Sequence, residues 1–406
     1  MVVALGKYRQ VLALPGVRAL LGLMLLARIP ESAMSMVLTL HVVLSLHRSY
    51  GAAGLVGAAG TIGIAVGAPL AGRLVDGWGL RGMLAITTIG DGAYWLTAWR
   101  LPYPMLLVLS FVGGVLALPV MSTGRQALAA LVPEEHRKAA FSLDSISVEL
   151  SFMVGPAAGV LVATKVSTVA AVISVGCLLI LAGIALFVMN PKMRADHETG
   201  AGTIRPPRRQ WLSPQLLAVL ATACGALFVL AGSEVSMVAA LRSVGEISWT
   251  GVVTVVICLA SVIGGFVYGA LRRTPGVLTL MVLLSALAIP IGLAGGVWWM
   301  LALAMVPSNL MCAPTLAATG DEVSRLAPAS VRGEAMGLQS SAFTVGIALG
   351  SPVVGFVVDH FGASGGFAAA GLGGVLVALV AWPLSRRPPP AVLPVGVRTA
   401  AVSPAG

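Results

Sequence analysis

Twelve apolar stretches follow one another along this chain with only brief polar interruptions, and few folds accept such a pattern. A helix needs about 20 apolar residues to cross the hydrocarbon of a bilayer. The runs lie at 17–45, 51–72, 82–99, 104–131, 139–163, 167–190, 211–241, 249–271, 277–294, 297–319, 334–358 and 365–385. Charged residues make up 10% of the 406, against roughly 25% in soluble proteins. So little charge cannot cover a surface facing water. The short alternating strands of a membrane β-barrel do not occur. The sequence therefore predicts an all-α polytopic membrane protein with twelve spans.

The formal net charge of +10 raises nucleic-acid binding, and topology answers it. With a cytoplasmic N-terminus, 20 of the 25 Lys and Arg fall in tails or cytoplasmic loops, from Lys7, Arg9 and Arg18 to Arg386, Arg387 and Arg398. Four (Arg48, Arg100, Lys165 and Arg242) fall outside, and Arg28 lies within a span. This is the positive-inside bias, and no basic-aromatic module accompanies it. The expected setting is the inner (plasma) membrane with both termini cytoplasmic and no nucleic-acid partner. No cleavable signal peptide is visible. Cys177, Cys224, Cys258 and Cys312 sit inside apolar runs without paired spacing, which predicts small core residues rather than disulfides or metal ligands.

The longest polar interruption, 191–210, divides six spans from six. The expected organisation is an N-terminal bundle over 1–190, a cytoplasmic linker over 191–210, a C-terminal bundle over 211–385 and a disordered tail over 386–406. Landmarks in the two halves recur about 200 residues apart, as in duplicated transporters. Glu31 pairs with Glu234, Pro133 and Arg137 with Pro328 and Arg332, and Gly155-Pro156 with Ser351-Pro352. The run from Gly72 to Arg81 also has a weaker copy, Gly269 to Gly276. Both read as tight turns between spans, with glycine letting the backbone reverse and charge holding the turn at the water side.

Gly72-x-x-x-Asp76-x-x-Gly79-x-Arg81 between spans 2 and 3 resembles the cytoplasmic signature motif of the Major Facilitator Superfamily. Gly155-Pro156-x-x-Gly159 in span 5 is similar to the core of that family's antiporter motif, known from drug–proton exporters. The resemblance covers residues from about 10 to 385 and implies alternating access with a site between two six-helix bundles. It makes Asp76, with Arg81 and Arg125 as partners, a conformational latch. It also makes the stripes Gly63/Gly67, Gly155/Gly159, Gly265/Gly269 and Gly346/Gly350 the surface on which the halves rub.

No ATP-binding loop, metal-spaced cluster or nucleophile motif occurs, so neither enzyme chemistry nor a cofactor is expected. Ionisable groups inside a membrane cost about 2.5–3.5 kcal/mol each on insertion scales, which makes the deep acids Glu31, Asp91, Glu149 and Glu234 functional candidates. Glu31 leads, because Pro30 before it frees a backbone carbonyl. A carboxyl in low dielectric can load and release a proton near neutral pH. Arg28, three residues earlier on the same face, is the expected partner of Glu31. Glu234 has no basic residue within a turn. Glu149 lies deep in span 5, divided between function and an interhelical hydrogen bond, and Asp91 in span 3 leans to a structural role. Asp144 is placed shallower, nearer the cytoplasmic end of span 5. The expected activity is proton-coupled efflux of a small, partly apolar compound by a monomer. Symport or facilitated uptake of a nutrient is the alternative. A non-transporting receptor or scaffold would need a larger soluble appendage than the linker and tail provide.

Overall fold

The computed structural model describes residues 2–194, 206–271, 275–294 and 296–386. Among them the chain is helical throughout, with no strand. Nine helical stretches are long and apolar enough to cross a membrane, and Val277–Leu293 is a shorter apolar helix. Two of the nine, of 48 and 57 residues, are each two crossings joined at one glycine. At Gly79 φ is 79° and ψ 171°, and at Gly362 φ is 71° and ψ −178°. The count is therefore twelve.

Spans 1 to 6 are Val17–Ser45, 50–78, 80–98, Tyr103–Leu131, Glu134–Lys165 and Thr168–Met189. Spans 7 to 12 are Pro214–Ser243, Thr250–Ala270, Val277–Leu293, Trp298–Leu326, 332–361 and 363–385. An even number of crossings puts the start of span 1, the end of span 6, the start of span 7 and the end of span 12 on one face, here called the terminus face. An additional helix, Val2–Ala13, lies there ahead of span 1.

The turn after span 2 is narrower than the sequence suggests. Gly72 stays inside the helix, and the reversal happens at Gly79 alone. Gly72 is a packing glycine: a Cβ there would run into the Gly333 carbonyl of span 11. The centre of the second copy, residues 272–274, lies outside the described residues, as do linker residues 195–205 and the tail from 387. Positive φ with extended ψ is nearly restricted to glycine and costs other residues about 1–3 kcal/mol. Gly79→Ala is thus expected to lose about that much stability, read as a lower denaturation midpoint in detergent. Gly77→Ala, with nothing within 4 Å of the added Cβ, is expected to change nothing.

Spans 4 and 10 are each interrupted partway. Span 4 breaks over 116–119, between Val115 and Val120, and span 10 at Leu310–Met311, between Asn309 and Cys312. Pro119 and Pro314 each lack an N–H for the ladder, and a broken helix in a membrane must find other partners for its freed groups. Neighbouring side chains supply them. Leu118 N–H donates to Asp91 Oδ2 at 3.1 Å, and Ala313 N–H donates to Ser261 Oγ at 3.1 Å. Asp91, a coupling candidate that leans to a structural role, thus accepts from a backbone group freed by the break in span 4.

Apolar packing gathers at both levels of the membrane in each half, around Leu20, Met24 and Leu84, around Val37 and Val56, and around Met281 and Leu284. A further cluster, with Phe141, Trp211 and Met336, joins residues from both halves near the terminus face.

Candidate functional site

The two halves meet most closely on the terminus side, and main chain makes the seam. Gly333 and Gly337 of span 11 come so near Gly72 and Ala68 of span 2 that a Cβ at either glycine would overlap backbone. Ser341 Oγ donates to Ala65 O at 2.6 Å. Asp76, at the end of span 2, caps span 11. Its Oδ1 accepts from Gly333 N–H at 3.0 Å and its Oδ2 from Glu334 N–H at 2.9 Å. Two of the unsatisfied N–H groups of a helix N-terminus gain a carboxylate where the dipole favours one.

Glu334 is itself buried and takes Arg73 Nε at 2.8 Å and Arg208 Nη2 at 2.6 Å. The N-terminal helix crosses the same seam. Tyr8 Oη–H donates to Phe266 O at 2.7 Å, and Lys7 Nζ reaches Ala270 O at 3.3 Å, both at the end of span 8.

The arginines expected to join Asp76 are engaged elsewhere. Arg81 donates to Phe187 O at 3.4 Å and lies over the Phe187 ring, 5.4 Å from its centroid. Arg125 is buried, 1% exposed, and its Nε donates to Asp144 Oδ2 at 3.0 Å. Span 4 reaches Asp76 through Gln126 Nε2 instead, at 3.4 Å.

The expected Arg28–Glu31 bridge is likewise replaced. Arg28 Nη2 pairs with Asp144 Oδ1 at 2.6 Å, and its Nη1 donates to Ser147 Oγ at 2.5 Å. Span 1 packs so closely on span 5 that Asp144 outcompetes the neighbour on Arg28's own helix. The antiporter-like motif accounts for that closeness. A side chain at Gly155 would strike Ser32 and the Ile29 carbonyl, and one at Gly159 would strike Val37. Pro156 sits in span 5 without breaking it.

The glycine stripes divide differently from expectation. Gly63 and Gly67 pack on span 4, Gly155 and Gly159 on span 1, and Gly346 and Gly350 on span 7, all within one half. Of the four stripes, Gly265/Gly269 meets the opposite half, at Ile146, Ser142 and Tyr8.

Near mid-membrane, Glu149 of span 5 is held by the other half of the chain. Its Oε1 accepts from Ser261 Oγ of span 8 at 2.8 Å and from Cys312 Sγ of span 10 at 3.1 Å. Cys258 of span 8 lies beside this carboxyl and within its field. Ser261 is the same hydroxyl that caps the break in span 10, so the carboxyl, the hydroxyl and the broken backbone form one chain. Two cysteines read from sequence as core filler are thus carboxyl partners. Their spacing along the chain carries no such signal, since packing alone joins them. Glu31 in span 1 is half-buried and Glu234 in span 7 is exposed. No hydrogen bond to either side chain is among those described, which leaves both carboxyls open to a proton or a cation.

In sequence, residues 20–241 and 216–405 match the family model described as Major Facilitator Superfamily. No curated protein matches the chain significantly. Among solved structures, the human organic anion transporter superposes with a TM-score of 0.74 at 16% identity, covering 92% of this chain and 99% of that one. A bacterial homologue of the iron transporter ferroportin, outward-facing, gives 0.72 at 15% identity, covering 91% and 99%. The proton:xylose symporter bound to 6-bromo-6-deoxy-D-glucose gives 0.71 at 14% identity, covering 91% and 96%. At such identities the likeness is one of fold.

Proposed function

The chain belongs to the Major Facilitator Superfamily, and we propose that within it the protein is a proton-coupled secondary transporter exporting a small, partly apolar compound by alternating access. As a member of that family it is a multi-pass membrane transporter and not an enzyme. The finer reading places it in the plasma membrane as a monomer with both termini cytoplasmic. Its working parts are two six-helix bundles over 1–190 and 211–385, joined by the linker. The positive-inside charge supports this orientation, and the sealed terminus face then makes the described state closed to the cytoplasm.

One observation carries the proton coupling: Glu149 belongs to one half and its donors to the other. Parting the halves on the terminus side removes Ser261 and Cys312 from the carboxyl. A half-buried carboxylate stripped of its donors loses about 1–3 kcal/mol, unless a proton or a cation replaces them. Conformation and protonation are thereby linked. Glu31 and Glu234, at related positions of the two halves, supply further loading groups.

Everted vesicles energised to acidify their interior test the reading. Lipophilic cations, antibiotics and sugars are added while a ΔpH dye is read. A compound that collapses ΔpH only in vesicles containing the native protein is the expected outcome and identifies the substrate class. A compound that equilibrates across these membranes regardless of ΔpH overturns proton coupling. A compound that enters right-side-out vesicles while the medium turns alkaline replaces export with symport.

A further inference from the structure

We propose that Asp144 is a positioning residue for coupling: held between Arg28 and Arg125, it passes the charge state of Glu31 to the seam that closes the terminus face. The inference rests on the proton-coupled reading above. Asp144 is fully buried and shared by two guanidinium groups, with Arg28 of span 1 on Oδ1 and Arg125 of span 4 on Oδ2. One carboxylate cannot neutralise both. Arg125 is also the member of this triad that touches the other half. Its guanidinium lies over the Phe343 ring of span 11, 5.2 Å from the centroid. Its Nη1 donates at 3.2 Å to the Gln339 amide oxygen, once that amide is oriented to accept also from Gly320 N–H at 3.0 Å. Arg125 Nη2 is buried with no partner. A cation so placed stays against Phe343 and Gln339 only while its charge is offset.

Glu31 controls that offset. It sits one turn from Arg28 on span 1 and within its field. With Glu31 ionised, Arg28 stays on Asp144 as found, and two carboxylates offset the two guanidinium groups of the cluster. The seam then holds a neutralised pair and stays shut. When Glu31 takes a proton, one carboxylate, Asp144, is left for two guanidinium groups, and Arg28 holds it closely. Arg125 then carries uncompensated charge in a dry seam, and the terminus face is driven to open toward water. A proton loaded from the far side is thereby delivered to the terminus side.

The remaining charged groups around the relay do not take over this role. Asp91 of span 3 lies in the field of Glu31 but is bound to Leu118 N–H. Span 6 brings only Cys177, which is exposed. On span 5, Glu149 is held by Ser261 and Cys312. On span 10, Asp321 sits nearer the terminus face among Arg325, Glu322, Arg137 and Lys138.

The test measures the seam itself. Glu134 and Arg325 face each other across it at 3.6 Å, with both side chains more than half exposed. Spin labels at Glu134→Cys and Arg325→Cys, with Cys177→Ser to remove the exposed thiol, report its width by pulsed dipolar spectroscopy. In this parent, acidification from about pH 8 to about pH 6 is expected to shift population toward the longer distance at least about fivefold. Glu31→Gln holds the long distance at both pH values. Asp144→Asn does the same, and adding Glu31→Gln to it changes nothing further. Asp144→Glu keeps the response, and Arg125→Met stays short at both pH values. An Asp144→Asn protein that still responds like the parent, or in which Glu31→Gln adds its full shift, overturns the relay alone. If Asp144→Asn does not fold, Arg125→Met decides, since a surviving pH response in it also overturns the relay. A parent that ignores pH overturns proton coupling itself and the relay with it.

Discussion

Glu31→Gln is expected to abolish proton-coupled transport while leaving a folded protein that still binds substrate. The side chain is half-buried, no hydrogen bond to it is among those described, and Arg28 is committed to Asp144. Losing the carboxylate therefore removes no described contact that holds spans together. The amide keeps the size of the protonated acid but can neither take up nor release a proton. Uphill flux driven by ΔpH is expected to fall to background, with substrate binding retained and an unchanged denaturation midpoint. Glu31→Asp is expected to restore part of the driven flux, since it keeps a titrating group on the same helix face. Driven flux at the native level in Glu31→Gln removes Glu31 from the mechanism, and a lowered midpoint assigns it a structural role.

Gly72→Val is expected to have the second largest effect, by a different route. The added side chain meets the Gly333 carbonyl and the Glu334 backbone nitrogen, atoms that cannot move without shifting the start of span 11. Overpacking of this kind costs about 1–3 kcal/mol or more, and it falls on the closed terminus side alone. A bias of 1–3 kcal/mol corresponds to about 5–150-fold in the equilibrium between states. Turnover is expected to drop by that order, and the spin-label pair at 134 and 325 to show the longer distance without any change of pH. Gly77→Val, whose Cβ meets nothing within 4 Å, is the matched control. Normal turnover in Gly72→Val removes the main-chain seam from the transport cycle.

The fold was legible because the bilayer makes one demand, apolar length, and the sequence states it twelve times over. The described helices fall close to the runs read from hydropathy, and span 2, at 50–78, ends six residues later than expected because Gly72 packs rather than turns. Glycine signals both uses with the same letter. Only the dihedral at Gly79 and the nearness of Gly333 separate them. The site was legible in part. Deep acids are conspicuous in an apolar run, so Glu31, Glu149, Glu234 and Asp91 stood out. Their partners did not, because partnership here lies between helices. Arg28 has Glu31 at helical spacing, yet the small residues Gly155 and Gly159 draw span 1 onto span 5 and hand the arginine to Asp144. Asp144 read as shallow by distance along its helix, while packing buries it completely. Cys258 and Cys312 gave no sign of touching Glu149, since nothing in an apolar run marks which cysteine faces a carboxyl.

The closed seam is made largely of peptide groups: carbonyls at residues 65, 68 and 72, and the N–H groups that Asp76 receives at 333 and 334. Every amino acid brings the same peptide unit, so this part of the seam asks for small residues and Asp76, with the Glu334 ion pairs and a few other side chains beside it. Residues beyond it, on the far side of mid-membrane, can then be exchanged without refitting this seam. A lineage can acquire new cargo by ordinary point mutation while its mechanical parts stay constant. Selection for growth on a novel toxic compound is accordingly expected to enrich changes on the far side of mid-membrane and to spare Gly72, Asp76, Gly333 and Gly337.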